Sequence, residues 1–116
     1  ARNYAMPSSV IARESKNKNC FIAEGCEIYG TITHSIISTG CTVAPGAIVE
    51  DSVIMPNVHI ESGAIIRHAI IGEDCRICRG AVIGGSFAPG EEKKISVVGK
   101  AKTIAENTAI KPGDIY

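Results

Sequence analysis

Ile54-Met55-Pro56-Asn57-Val58-His59-Ile60-Glu61-Ser62-Gly63-Ala64-Ile65-Ile66-Arg67-His68-Ala69-Ile70 is one unit of 17 residues, and the chain repeats it. Its leading aliphatics step by 6, 6 and 5: Ile54, Ile60, Ile66, then Ile71. The unit before runs Ile37, Val43, Val49, and the unit after runs Ile71, Ile77, Ile83. The flanking residues repeat as well. Ile32-Thr33-His34-Ser35-Ile36-Ile37, Val49-Glu50-Asp51-Ser52-Val53-Ile54 and Ile66-Arg67-His68-Ala69-Ile70-Ile71 lie 17 residues apart. A fixed short period of this kind marks a solenoid.

Each step reads as a short strand plus a turn, forming one wall of a triangular prism, and three steps make a coil. The leading aliphatic points into the prism. The residue four places later is also expected to face inward, near a corner: Cys26, Cys41, Ala47, Val53, Val58, Ala64, Ile70, Cys75 and Ala81. Just before such places stand Gly25, Gly40, Gly46, Gly63, Gly80 and Gly113, or Asn57, Asp74 and Asn107. These residue types suit turns with positive φ. Successive coils stack by parallel pairing about 4.8 Å apart, so like residues lie above one another. The chain has 19 Ile, 8 Val and no Leu. β-Branched side chains are stiff and suit pleated walls, so a helix bundle is excluded.

The spacing predicts an all-β fold of about five coils, at 22–36, 37–53, 54–70, 71–97 and 98–116, on the order of 24 Å tall. The first coil is short, with four residues from Ile28 to Ile32. Between Ile83 and Val98 about ten extra residues form a polar loop at 85–94. Residues 1–20 fit the period poorly and read as a linker that pairs onto the first coil. Residues 21–116 are the prism.

With 116 residues the chain is one domain. Twelve basic and twelve acidic residues cancel, which argues against nucleic acid or an anionic membrane as partner. No apolar run approaches the ~20 residues of a membrane span. The opening has no signal-peptide pattern, and five Cys in small or apolar positions do not form a disulfide framework, which points to the cytoplasm. Ala1 stands where a start methionine would, so the chain reads as processed or as a piece of something longer.

Few residues offer chemistry. His34 and His68 share a repeat position, with Asp51 between them. Two coils separate the histidines by ~9.6 Å, too far to share a zinc ion. His59 belongs to another wall. All three read as surface side chains. Cys75-Arg76-Ile77-Cys78 is a lone CxxC, and Cys26, Cys41 and Cys75 read as small buried thiols. Arg76, Arg79, Lys93 and Lys94, with Lys100 and Lys102, are candidates for an anion-binding patch near the loop. Neither a phosphate-binding glycine loop nor a nucleophile–base pair stands out. No catalytic, cofactor-binding or metal-binding residue is assigned.

The run Asn19-Cys20-Phe21-Ile22-Ala23-Glu24-Gly25-Cys26-Glu27-Ile28-Tyr29-Gly30-Thr31 resembles the opening of the C-terminal β-helix of bacterial glucose-1-phosphate adenylyltransferase. So do Asp51-Ser52-Val53-Ile54-Met55, Ala69-Ile70-Ile71-Gly72-Glu73-Asp74 and Gly80-Ala81-Val82-Ile83-Gly84-Gly85 ahead of the loop. The resemblance spans residues 7–110. It implies a left-handed parallel β-helix of hexapeptide repeats that serves assembly and allosteric regulation. The full-length enzyme would join ATP and glucose 1-phosphate into ADP-glucose and pyrophosphate for glycogen biosynthesis. ATP and Mg2+ would bind only in an N-terminal nucleotidyltransferase domain, and residues 1–20 would lead from that domain. The implied partners are that domain, further subunits in a homo-oligomer (a tetramer in the full-length family) and a sugar-phosphate effector, for which Arg76, Arg79, Lys93 and Lys94 are candidate contacts. The fragment alone is expected to be non-catalytic. Two alternatives stay open: a free-standing hexapeptide acyltransferase, and the β-helix of a paralogous sugar nucleotidyltransferase.

Overall fold

The computed structural model describes the strands at residues 10–11 and 16–18 and all of residues 19–116. Residues 1–9 and 12–15, and with them most of the expected linker, lie outside the described residues. Every strand pairs in parallel. The first two strands, β1 (Val10–Ile11) and β2 (Lys16–Lys18), precede the five expected coils and pair onto the first of them. The first coil is β3 (Phe21–Ile22), β4 (Glu27–Ile28) and β5 (Thr31–Thr33). The second is β6 (Ile36–Ile37), β7 (Thr42–Val43) and β8 (Ile48–Glu50). The third is β9 (Val53–Ile54), β10 (His59–Ile60) and β11 (Ile65–Arg67). The fourth is β12 (Ala69–Ile71), β13 (Arg76–Ile77) and β14 (Val82–Gly84). The fifth is β15 (Ser96–Val98), β16 (Thr103–Ile104) and β17 (Ala109–Ile110).

Strands three apart in the chain are neighbours in a sheet, which is the signature of a solenoid. Wall one is β1-β4-β7-β10-β13-β16, wall two is β2-β5-β8-β11-β14-β17, and wall three is β3-β6-β9-β12-β15. The architecture is a β-solenoid, consistent with a left-handed β-helix of hexapeptide repeats. Near the C-terminus, Val97 N–H donates to Asp114 O at 2.9 Å and Tyr116 N–H to Val97 O at 2.8 Å, so the last residues cap wall three.

The register stacks β-branched side chains. Ile28, Val43, Ile60, Ile77 and Ile104 line the inside of wall one. Ile32, Val49, Ile66, Ile83 and Ile110 line wall two. All ten are buried. Full burial of one such side chain is worth roughly 1.5–3 kcal/mol, so these columns are the main source of stability. The small residues Cys26, Cys41, Ala47, Val58, Ala64, Cys75 and Ala81 fill the corners and are buried, as the spacing predicts. The nine turn residues singled out by spacing all have positive φ, between 60° and 84°.

Two members of the inward set face the other way. Val53 is half-buried and Ile70 is 40% exposed; Ser52 and Ala69 are buried in their place. The physical reason is strand parity. The step from wall two to wall three is five, so Val53 and Ile70 immediately precede the inward Ile54 and Ile71, and neighbours on a strand point to opposite faces. The buried serines of this corner form a ladder. Ser52 Oγ donates to Glu50 O at 2.7 Å and accepts from Ala69 N–H at 3.2 Å. Ser35 repeats the pattern with Thr33 O at 2.8 Å and Ser52 N–H at 3.1 Å.

The short corner of the first coil depends on a glycine. A Cβ on Gly30 would stand 2.6 Å from Ala47 O and 2.8 Å from Ala44 O of the coil above. The expected loop leaves after β14 and returns at β15, and Glu91 through Ile95 are exposed.

Candidate functional site

At the corner between walls two and three, the residues of one column adopt left-handed backbone: His34 (φ 52°), Asp51 (φ 50°) and His68 (φ 48°). The column projects outward, and the 17-residue period sets its members one coil apart. His34 Nδ1 lies 2.9 Å from Asp51 Oδ1, and His68 Nε2 lies 3.5 Å from Asp51 Oδ2. His68 Nδ1 lies 2.9 Å from Gly85 O, at the root of the loop. The Phe87 ring meets the His68 ring edge-on, with centroids 5.0 Å apart and planes at 74°. His34 is a surface side chain, as expected, but His68 is not: its side chain is only 13% exposed, because the loop folds over it. A shallow cavity of about 300 Å³ runs along this ladder, lined by Ile36, Ser52, Val53 and Lys93 as well.

Among the described residues no group of three or more His, Cys, Asp or Glu converges on one ion position. The carboxylate sits between the two rings, so each histidine engages a different oxygen.

The candidate anion contacts do not form one patch. Arg76 and Arg79 line a second cavity of about 330 Å³ on wall one, with Thr42, His59, Glu61 and Ser62. Arg76 Nη1 donates to Glu61 Oε2 at 3.0 Å, and Arg79 N–H donates to Glu61 Oε1 at 3.1 Å. Lys93 instead joins the histidine ladder. Lys94 lies along Gly113, and Lys100 reaches Glu73 at 3.8 Å. The expected cluster around the loop is corrected to two sites, because the loop projects from the corner of walls two and three while Arg76 stands on wall one.

Cys26, Cys41 and Cys75 are buried free thiols. Cys41 Sγ donates to Met55 O at 3.1 Å. Its hydrogen bond with the Cys26 thiol, and its burial, push the Cys41 thiol far above its ordinary value. Burial and then Glu61 push Cys78 up as well. A reactive cysteine needs the opposite shift.

Period counting also missed a feature of wall three. Phe21, Ile36, Val53, Ile70 and Val97 stack in register on its outer face, and a bridge from Val97 to Ile115 extends the stripe. Phe21 is 65% exposed and Ile36 49%. The outward positions of wall one are Glu27, Thr42, His59, Arg76 and Thr103, so its surface is polar. The signal for the apolar wall was the parity of the five-residue step.

No helix among the described residues is long and apolar enough to cross a membrane. Comparison with known proteins places the chain. It is 40% identical to a glucose-1-phosphate adenylyltransferase of Fervidobacterium nodosum, covering 94% of this chain and 28% of that relative. A glucose-1-phosphate adenylyltransferase of Clostridium perfringens is 39% identical over 59 residues, which are 51% of this chain and 15% of that protein. The chain thus spans well under a third of the length of these relatives. A solved Bacillus cereus structure described as an acetyltransferase superposes with a TM-score of 0.54 at 17% identity, covering 97% of this chain and 74% of that one; it shows the fold alone. Residues 6–105 match the family described as GlmU-like, C-terminal hexapeptide, and the chain belongs to that family.

Proposed function

We propose that this chain is the assembly and regulatory β-helix of a glucose-1-phosphate adenylyltransferase. One observation carries the reading: the 40% identity to the Fervidobacterium nodosum protein runs through 94% of this chain but only 28% of that relative. In this reading the chemistry belongs to a nucleotidyltransferase domain, where ATP, glucose 1-phosphate and Mg2+ meet. The β-helix is non-catalytic, works in the cytoplasm and joins subunits into a homo-oligomer. The apolar outer face of wall three supports an assembly role, since contiguous exposed apolar surface marks a protein-binding face. Arg76 and Arg79, beside Glu61, are the effector contacts on wall one.

The test is direct. The 116-residue chain, supplied with ATP, glucose 1-phosphate and Mg2+, is expected to release no pyrophosphate, and turnover would overturn the reading. Saturable binding of acetyl-CoA would favour a hexapeptide acyltransferase instead. In the full-length protein, Ile36→Asp combined with Ile70→Asp is expected to lower the oligomeric mass seen by light scattering. An unchanged mass would remove wall three from the assembly.

A further inference from the structure

We propose that Glu61 is the built-in occupant of an oxyanion site on wall one. Its carboxylate stands where a phosphate group of a ligand binds, and it sets the charge a ligand needs to enter. The inference deepens the effector reading above and rests on Arg76 and Arg79 being the contacts.

The carboxylate is held as a bound oxyanion would be. Arg76 Nη1 donates to Glu61 Oε2 at 3.0 Å, and the Arg79 backbone N–H donates to Oε1 at 3.1 Å. A guanidinium and a main-chain amide are two kinds of donor that bind phosphate oxygens. The stack sets both. Arg76 follows His59 in the outward column of wall one. The Arg79 amide belongs to a tied turn, in which Ala81 N–H donates to Cys78 O at 3.2 Å and Gly80 N–H to Ser62 O at 3.3 Å. The amide donor therefore keeps its place when the carboxylate swings out. One coil away in each direction, the counterparts of Glu61 are Ala44 and Cys78, so the carboxylate belongs to this level alone.

The site exceeds its occupant in charge and in donors. Two guanidinium groups line the cavity against one carboxylate. The Arg79 guanidinium has no acidic partner among the described residues. Thr42, His59 and Ser62 line the same cavity of about 330 Å³ and add donors. A carboxylate presents two oxygens and one charge, whereas a phosphate monoester presents three oxygens and nearly two charges. The Arg76 and Glu61 side chains are 54% and 36% exposed, and an ion pair so placed is weak. A monoanion offers Arg76 no more than Glu61 already does. A phosphate dianion offers more and displaces it. Glu61 is thus a specificity-determining residue for phosphate-bearing ligands.

NMR of the Arg79 backbone amide tests this, as inorganic phosphate is added to the 116-residue chain at low ionic strength. The resonance is expected to shift saturably. Glu61→Gln is expected to bind phosphate about fivefold more tightly, the effect of one like charge removed at contact distance in water. Arg76→Gln is expected to weaken binding by at least as much. Equal affinity in the wild type and Glu61→Gln would overturn the role of Glu61 while leaving Arg76 and Arg79 as anion contacts. No saturable shift in either protein would overturn the site and the effector contacts together. Both half-exposed substitutions are checked for folding by the dispersion of the same spectra; should Glu61→Gln unfold, Glu61→Ala takes its place with the same expected tightening.

Discussion

Replacing Ile60 by alanine tests the stacked core where it is most confined. Ile60 is 1% exposed, with Val43 on one side and Ile77 on the other in the same column. The change removes three carbons, worth about 2.4 kcal/mol at ~0.8 kcal/mol per methylene. The void adds to this unless the walls close on it. They are pinned: His59 N–H donates to Cys75 O at 3.0 Å, Glu61 N–H to Ile77 O at 2.9 Å and Ala44 N–H to Ile60 O at 2.9 Å. The cavity term therefore persists, and the total loss is expected to be about 4 kcal/mol. Ile104 is equally buried but lies on the last strand of wall one, with a column neighbour on one side only. Its truncation is expected to cost about 2.5 kcal/mol, the transfer term with little added for the cavity. Urea unfolding followed by far-UV circular dichroism measures both, as shifts of the midpoint at constant slope. A loss at Ile60 below about 2 kcal/mol, or equal to that at Ile104, would refute the idea that confinement between coils sets the cost.

Two further outcomes follow from buried polar groups. Ser52→Ala strands the buried Ala69 N–H, which Ser52 Oγ receives at 3.2 Å, and is expected to cost about 1–3 kcal/mol in the same assay. A neutral result would mean the amide finds another acceptor. Cys41 titrates at 9.0 when unfolded, and its folded value is raised by the Cys26 hydrogen bond and by burial. The folded state thus holds the proton longer. This stability is complete below pH 9.0 and is lost as pH climbs toward the folded value. Unfolding midpoints between pH 8 and pH 10.5 are expected to fall in the wild type and to fall less in Cys41→Ala; parallel curves would contradict the assignment.

Much of this architecture was legible because a period of 17 turns sequence position into height. Ile60 over Val43, or Asn57 in a left-handed turn, required only counting. The same count aligned His34, Asp51 and His68. It did not reveal the fate of His68, since the Phe87 that covers it comes from a loop without period. The loop also hid the separation of Lys93 from Arg76, because spacing does not encode the direction in which an insertion leaves. Val53 and Ile70 were misplaced for a different reason. A rule drawn from steps of six was carried onto a step of five, where alternation along the strand overrides it.

The loop itself has a consequence for how such a fold can grow. At this corner one residue normally joins the walls: His34 between Thr33 and Ser35, Asp51 between Glu50 and Ser52, His68 between Arg67 and Ala69. Between Gly84 and Ser96, residues 85–95 occupy that place, yet Arg67 still pairs with Gly84 and Ala69 with Ser96. Exit and re-entry thus sit as close together as the ends of a single-residue link, at most ~7 Å. Such a junction is a socket. A hairpin, a peptide tag or a whole domain with adjacent termini can be exchanged there, and the stack beneath keeps its pitch.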